Sequence, residues 1–215
     1  MQTLCAICGS NPATTRDHIP PKNLYPKPIA GDMNLNTVPA CARCNNGSSS
    51  DDEVFKVIIG TSTGESSEAP SNVIDSLSKT IGRNHRMANQ IFSTSKTVLV
   101  NSRGPILERA VSITFDFNPY ARVITRIVRA LHWIEMEWSL PAEAKVTVLP
   151  SQQLPQNLVL DLMQLMHQHP LKNLNKETFL YRFHVDKDGK AVWEMQFFSR
   201  HTTYAFCTWP SAKSH

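Results

Sequence analysis

No stretch of this chain approaches the roughly 20 consecutive apolar residues that a membrane-spanning helix requires. Its start does not join a basic segment to an apolar run, so no secretory leader is expected and the chain reads as cytoplasmic. No strong charge of either sign is present. The net charge is +4 and the isoelectric point about 8.8, which permits an anionic partner without demanding one. There are no internal repeats, and the one compositionally biased tract, residues 61–71, is short and reads as a linker or mobile loop. Cysteine is scarce outside a single pattern: four of the five fall in two C-x₂-C pairs. That set does not suit the disulfide framework of a small secreted chain. What is present is 215 residues, 41% of them apolar, enough to bury a core as one large domain or two small ones.

The pairs are Cys5/Cys8 and Cys41/Cys44. Tetrahedral Zn²⁺ needs four sulfurs converging at about 2.3 Å, and each pair supplies two, so a structural zinc is expected. The gap of 32 residues between Cys8 and Cys41 exceeds that of a simple zinc ribbon, so something is built inside it. Cys207 stands apart in an apolar, aromatic stretch and reads as a buried small hydrophobe.

In chain order, Thr14 to Ile19 predicts a short strand ended by Pro20-Pro21. Residues 22–34 read as loop, Asn36-Thr37-Val38 as the returning strand, and Cys41 to Cys44 as a turn. A helix follows through Ile59, with Ser50 or Asp51 as its cap. Helical spacing continues over 72–92, weakened by Gly82. Beyond it, Lys96 to Val100 predicts a strand, Asn101 to Gly104 a turn, and Val111 to Phe115 a second strand. Asn118-Pro119 predicts the start of a helix to about Trp138, with Val123, Ile124, Ile127, Leu131 and Ile134 on its apolar face. A strand at 145–149 and an amphipathic helix at 156–168 come next, and strands at 179–185, 191–198 and 203–208 close the chain, the first two joined by a hairpin at Asp186-Lys187-Asp188-Gly189. The expected class is α+β, with a zinc-stapled module at 1–60, a linker at 61–71 and a larger accessory or substrate-binding α+β unit of antiparallel strands and amphipathic helices at 72–215.

The residues that carry chemistry lie between and beside the cysteine pairs. Cutting a phosphodiester requires a base for water, a cation for developing charge, and groups that position both. His18 has the intrinsic pKa of a base near neutrality. Asp17 is a hard oxygen ligand suited to Mg²⁺. Strand neighbours point to opposite sides, so a bend is needed to bring the two into one site. Asn45, directly after the second pair, is the candidate for a second oxygen ligand, with Asn46 the alternative.

These elements resemble the HNH endonucleases, whose fold is the ββα-metal module. The pattern is Cys5-Ala6-Ile7-Cys8, then Asp17-His18-Ile19-Pro20-Pro21, then Asn36, then Cys41-Ala42-Arg43-Cys44-Asn45-Asn46-Gly47. It covers about residues 3–59, a quarter of the chain. The resemblance implies that His18 is the general base and Asp17 a ligand of a catalytic Mg²⁺ or Mn²⁺. It implies that Asn45 is the final signature residue and a second ligand of that ion, as in the asparagine variant of the motif. It implies that Asn36 orients the loop carrying the base. Where many relatives have a lysine after the last asparagine, this chain has Ser48-Ser49-Ser50, which leaves a phosphate contact to be supplied elsewhere.

Arg16, Lys22, Lys27 and Arg43 lie beside the motif and suit a phosphate backbone. Arg122, Arg126 and Arg129 recur at i, i+4, i+7 and would stack on one helix face, either as a solvated surface or as a DNA-contacting stripe. His167 and His169 are expected to face solvent, and Trp133, Trp138 and Trp193 to be core. The expected partner is nucleic acid, DNA above all, with the oligomeric state open. The competing expectation is a zinc-knuckle nucleic-acid-binding or scaffold protein without catalysis.

Overall fold

The computed structural model describes residues 3–25, 35–62, 71–100, 107–174 and 178–210. A short hairpin forms near the N-terminus from β1 (Thr15–His18) and β2 (Thr37–Ala40), with Asp17 opposite Val38 and His18 opposite Thr37. A one-turn helix α1 (Ala42–Asn46) begins at the second cysteine pair, where a turn was expected, and α2 (Ser49–Ser62) follows. Ser50 and Asp51, the expected caps, lie inside the helix, and Asp51 and Asp52 stand in its first turn, where carboxylates favour the positive end of the helix. The predicted helix over 72–92 is two helices, α3 (Ser71–Arg83) and α4 (His85–Thr94). The break comes two residues after Gly82, at Asn84, whose side chain accepts from the Met87 N–H at 3.1 Å and so caps a new helix.

Strands β3 (Lys96–Val100) and β4 (Glu108–Ser112) make a separate two-stranded sheet. The second strand ends three residues earlier than expected because Ser112 pairs with Lys96, the first residue of β3. Helix α5 (Phe117–Met136) is capped by Asp116 rather than Asn118: the Asp116 carboxylate accepts from the Asn118 N–H at 3.0 Å. The five remaining strands are β5 (Lys145–Pro150), β6 (Lys172–Leu174), β7 (Phe179–Val185), β8 (Lys190–Phe197) and β9 (His201–Thr208), in antiparallel order β5-β9-β8-β7-β6. Helix α6 (Gln156–Met166) packs Leu162 and Met166 against Tyr204 on the opposite face from the main core. The α+β class holds, while β6 has no counterpart in the sequence reading because three residues carry too little periodicity to announce a strand.

Helix α5 is central. Its apolar residues Val123, Ile124, Ile127 and Leu131 are fully buried, between the sheet residues Trp193, Met195 and Phe197 and the N-terminal residues Ala6, Ile19, Val38, Phe55 and Ile59. All of these belong to one cluster, which draws on both 1–60 and 72–215, while a smaller cluster of Cys5, Ile7, Ala40 and Cys41 lies within the first. Thr61 and Ser62 end α2 and Ser71 opens α3, which leaves only 63–70 of the expected linker, and these lie outside the described residues. So does the predicted turn at 101–104 and most of the loop at 26–34, with Lys27. No helix among the described residues is long and apolar enough to cross a membrane.

Two histidines are built into this core. His132 has no exposed surface, lies edge-on to Trp138 at 4.4 Å and Trp209 at 5.1 Å, and neither ring nitrogen has a hydrogen-bond partner. His201 is 4% exposed and shares one hydrogen bond with the Tyr120 hydroxyl at 2.7 Å. Burial lowers both pKa values to about 4, with the Arg129 charge adding to the effect at His132. The unfolded chain therefore takes up these two protons first, near pH 6.5. Stability is complete above that value and falls as pH drops toward 4, by about 3 kcal/mol for each group. Burial raises the pKa of Asp17 and Asp52, which acts in the opposite direction. Unfolding titrations of a His132→Phe, His201→Phe double variant between pH 4 and 7 are expected to be flatter than wild type; equal slopes would exclude the imidazoles as the source.

Candidate functional site

The four sulfurs meet as expected. The ligand atoms of Cys5, Cys8, Cys41 and Cys44 all lie within 4.8 Å of one another. Tetrahedral zinc at about 2.3 Å from each sulfur spaces them about 3.8 Å apart, so the cluster fits such an ion with little adjustment. Its backbone is tied by hydrogen bonds of its own. Gly9 N–H donates to the Cys5 carbonyl at 2.9 Å, Cys5 N–H to Asn11 at 2.8 Å, and Ala6 N–H to Pro39 at 2.9 Å. The last bond joins the first cysteine pair to β2. Burial opposes ionisation of the Cys8 thiol, but the N–H groups of Asn11 and Ser10 outweigh it and draw its pKa down to about 6. Cys44 is driven the other way, by burial first and then by its bond to Cys41 and the negative charge of its neighbours. Four crowded thiolates need a cation among them.

The first knuckle turns at Gly9, which has φ +68°, a conformation that suits glycine. A methyl group there would meet the Leu140 carbonyl oxygen at 2.2 Å, and a backbone oxygen cannot swing aside. Gly9→Ala is expected to destabilise the fold by about 3 kcal/mol, combining φ strain with the displaced contact. A lowered denaturant midpoint at unchanged slope would confirm this; an unchanged midpoint would refute it.

His18 ends β1, is half-buried, and has no hydrogen bond to its ring among the described residues. Burial lowers its pKa, and the Lys22 charge lowers it further, so the imidazole is neutral at pH 7. The Ile19 N–H just beyond it donates to the Asn36 carbonyl at 2.9 Å, so Asn36 ties this loop through its backbone. Asn45 turns its side chain back onto β1: its Nδ2 donates to Thr15 Oγ1 and to the Arg16 carbonyl, both at 3.2 Å. Its Oδ1 has no partner among the described residues. Asn46 is exposed and makes no such contact, so Asn45 is the asparagine that faces the strand.

Asp17 departs from expectation. Strand alternation sends it inward, where it is 7% exposed, and its Oδ2 lies 3.4 Å from Arg126 Nε. That is ion-pair distance without hydrogen-bond geometry, and both atoms lack hydrogen-bond partners. Arg126 also holds Asp52 at 2.6 Å. Burial raises the Asp17 carboxyl pKa, opposed by the Arg126 charge and the His18 N–H. Among the described residues, the four cysteines are the one cluster of three or more His, Cys, Asp or Glu side chains able to hold a metal, and neither Asp17 nor His18 takes part in it.

The arginines of α5 do not form an exposed stripe. Arg126 and Arg129 are 6% and 7% exposed. Arg122 is exposed, but its guanidinium clasps the Asp51 carboxylate at 2.6 and 2.7 Å. The reason is that α2 lies along this face of α5 and brings its acidic first turn with it. Arg16, Lys22 and Arg43 are exposed as expected, although Arg16 is tied to Thr37 through two hydrogen bonds. Missed at the sequence level were Lys79 and Arg83, four apart on α3. They line a cleft of about 750 Å³ with Asn23, Tyr25 and Lys56, beside the loop after His18, and Glu53 and Asp75 share that lining. Cys207 is fully buried as expected, Trp193 and Trp133 join the core, and Trp138 remains 44% exposed. His167 is exposed, while His169 is half-buried against the His184 ring at 4.9 Å.

Comparison with protein-family models, with curated proteins and with solved structures gives no match to this chain.

Proposed function

We propose that the chain is a zinc-stapled, metal-dependent endonuclease of the HNH type that hydrolyses DNA phosphodiester bonds. The observation that carries the proposal is the placement of Asn45. An asparagine positioned by the cysteine centre reaches back across 29 residues to the strand that ends in Asp17 and His18. That is the strand, loop, strand, knuckle and helix order in which the ββα-metal module assembles its site.

His18 is the general base. Its ring is free of protein hydrogen bonds, reachable from solvent, and neutral at pH 7, so it can accept a proton from water. Asp17 Oδ2 is a buried oxygen without a hydrogen-bond partner among the described residues, Asn45 accepts no hydrogen bond there through its Oδ1, and both are hard oxygens of the donor type that Mg²⁺ or Mn²⁺ takes. Such an ion, held by these two residues, would supply charge stabilisation at the phosphate and the leaving oxygen. Asn36 fixes the loop through its carbonyl. Lys22, Arg43, Lys79 and Arg83 are the exposed cations near the motif and replace the α5 stripe as the proposed phosphate contacts.

A second reading rests on Arg126. Its charge faces the Asp17 carboxylate from inside the protein and competes with any divalent ion for it. If that pair persists, the chain is a zinc-knuckle nucleic-acid-binding or scaffold protein without catalysis. The test is cleavage of supercoiled and linear DNA by purified protein with Mg²⁺ or Mn²⁺, run beside DNA binding measured by fluorescence anisotropy. Cutting that depends on the added ion and on His18 supports the nuclease. Binding without cutting supports the second reading, and neither activity would overturn both.

A further inference from the structure

Of the three arginines spaced along α5, two have carboxylate partners and one has none. Arg122 holds Asp51, and Arg126 holds Asp52 and Asp17. Arg129 is as buried as Arg126, yet no carboxylate lies within ion-pair distance of it among the described residues. Its guanidinium donates only to backbone carbonyls: Nε to Ile7, and one terminal nitrogen to Leu140 and Pro141, both at 2.8 Å. Carbonyl dipoles orient a cation but leave its charge uncancelled, and a buried uncancelled charge is costly.

The place of Arg129 identifies what cancels it. Its Nε donates to the carbonyl of Ile7, which lies between Cys5 and Cys8, and its guanidinium lies beside Gly9, the residue after that pair. The four-cysteine cluster is therefore the metal-binding group next to the fork. Zinc held by four thiolates carries a net charge of −2, so the buried cation and the buried centre each answer the other's charge.

We infer that Arg129 is the counter-ion of the four-cysteine zinc centre, and that its fork fastens the first knuckle to α5 and the Leu140–Pro141 segment so that metal loading and docking are one event. The outer groups of a metal site tune its affinity by about 10- to 100-fold. The inference concerns the zinc centre alone and holds whether or not His18 cuts DNA.

The experiment uses the full chain as wild type, Arg129→Met and Arg129→Lys. Zinc affinity is read by competition with a chromophoric chelator, and melting temperature is read with zinc and after stripping. Arg129→Met is expected to weaken zinc binding at least about tenfold. Its zinc-free form is expected to be no less stable than zinc-free wild type, because without the net −2 charge of the loaded centre the buried cation has no matching partner. Arg129→Lys keeps the charge and is expected to stay within about threefold of wild-type affinity. If Arg129→Met binds zinc like wild type while its loaded and stripped forms are destabilised alike, Arg129 is only a structural tie and the inference is overturned. If Arg129→Met does not fold, Arg129→Lys decides: near-wild-type affinity supports the counter-ion, and a tenfold loss in a folded variant overturns it. Wild-type protein that binds no zinc would overturn it as well.

Discussion

Stripping the metal from the four-cysteine centre is expected to lower the melting temperature of the whole chain as one unit, the region around Trp193 included. Structural zinc in small modules supplies an apparent 10–16 kcal/mol of folding free energy at neutral pH, about the whole stability of a typical domain. Here the centre is not a detachable appendage. Ala6 lies within the first cysteine pair, Val38 on the strand leading to the second, and both share one buried cluster with Ile127, Leu131 and Trp193. Losing the knuckles exposes the N-terminal side of α5, the element on which the sheet rests. Chelation, or Cys41→Ser, should therefore move the loss of native tryptophan fluorescence and of secondary structure to lower temperature together, as a single transition. Zinc analysis of the intact protein should give about one ion per chain. A chelated protein that keeps its Trp193 environment while only the first 60 residues melt would show that the shared core is not cooperative.

His18→Ala is expected to reduce DNA cleavage by about 10²- to 10⁴-fold, the usual contribution of a positioned general base. The fold should not notice. The ring is half-buried, makes no hydrogen bond among the described residues, and stands apart from the cysteine cluster. Zinc content and the unfolding midpoint are expected to match wild type, which separates a catalytic loss from a structural one. The pH profile adds a second readout. A base must be unprotonated to act, so activity should rise with pH through the imidazole pKa and then level. Burial, and after it the Lys22 charge, places that rise below 6.5. Lys22→Ala removes one of the two causes and should move the rise to higher pH. A His18→Ala protein that cuts as fast as wild type would end the proposed role, and a rise unmoved by Lys22→Ala would remove Lys22 from it.

Much of the candidate site was legible because its parts are close in sequence. Two cysteine pairs with a strand and return between them can meet in few ways, and the structure joins their sulfurs. The apolar face of α5 followed from its spacing, and Val123, Ile124, Ile127 and Leu131 are all buried on it. The same spacing misled for the arginines. Periodicity says which residues share a face and not what the face meets. At Arg122 and Arg126 it meets aspartates about 70 positions earlier, and at Arg129 the carbonyl of Ile7. Asp17 likewise meets a partner that no short-range pattern shows, Arg126, 109 residues away on a different element. The largest buried cluster crosses the expected division at residue 60, because a polar tract marks where the chain leaves the core and not whether it returns to the same one.

The amino-acid sequence by itself determined the metal-ligand set, the strand order around Asp17 and His18, the central amphipathic helix and the closing hairpin, since each depends on residue type at short range. Tertiary structure alone decided that Asn45 rather than Asn46 faces the strand, that Asp17 is held by Arg126, and that Arg129 is buried with backbone carbonyls as its hydrogen-bond partners among the described residues. Those outcomes depend on where charge is left without water. That is set by which distant segments pack together, and no local pattern encodes it.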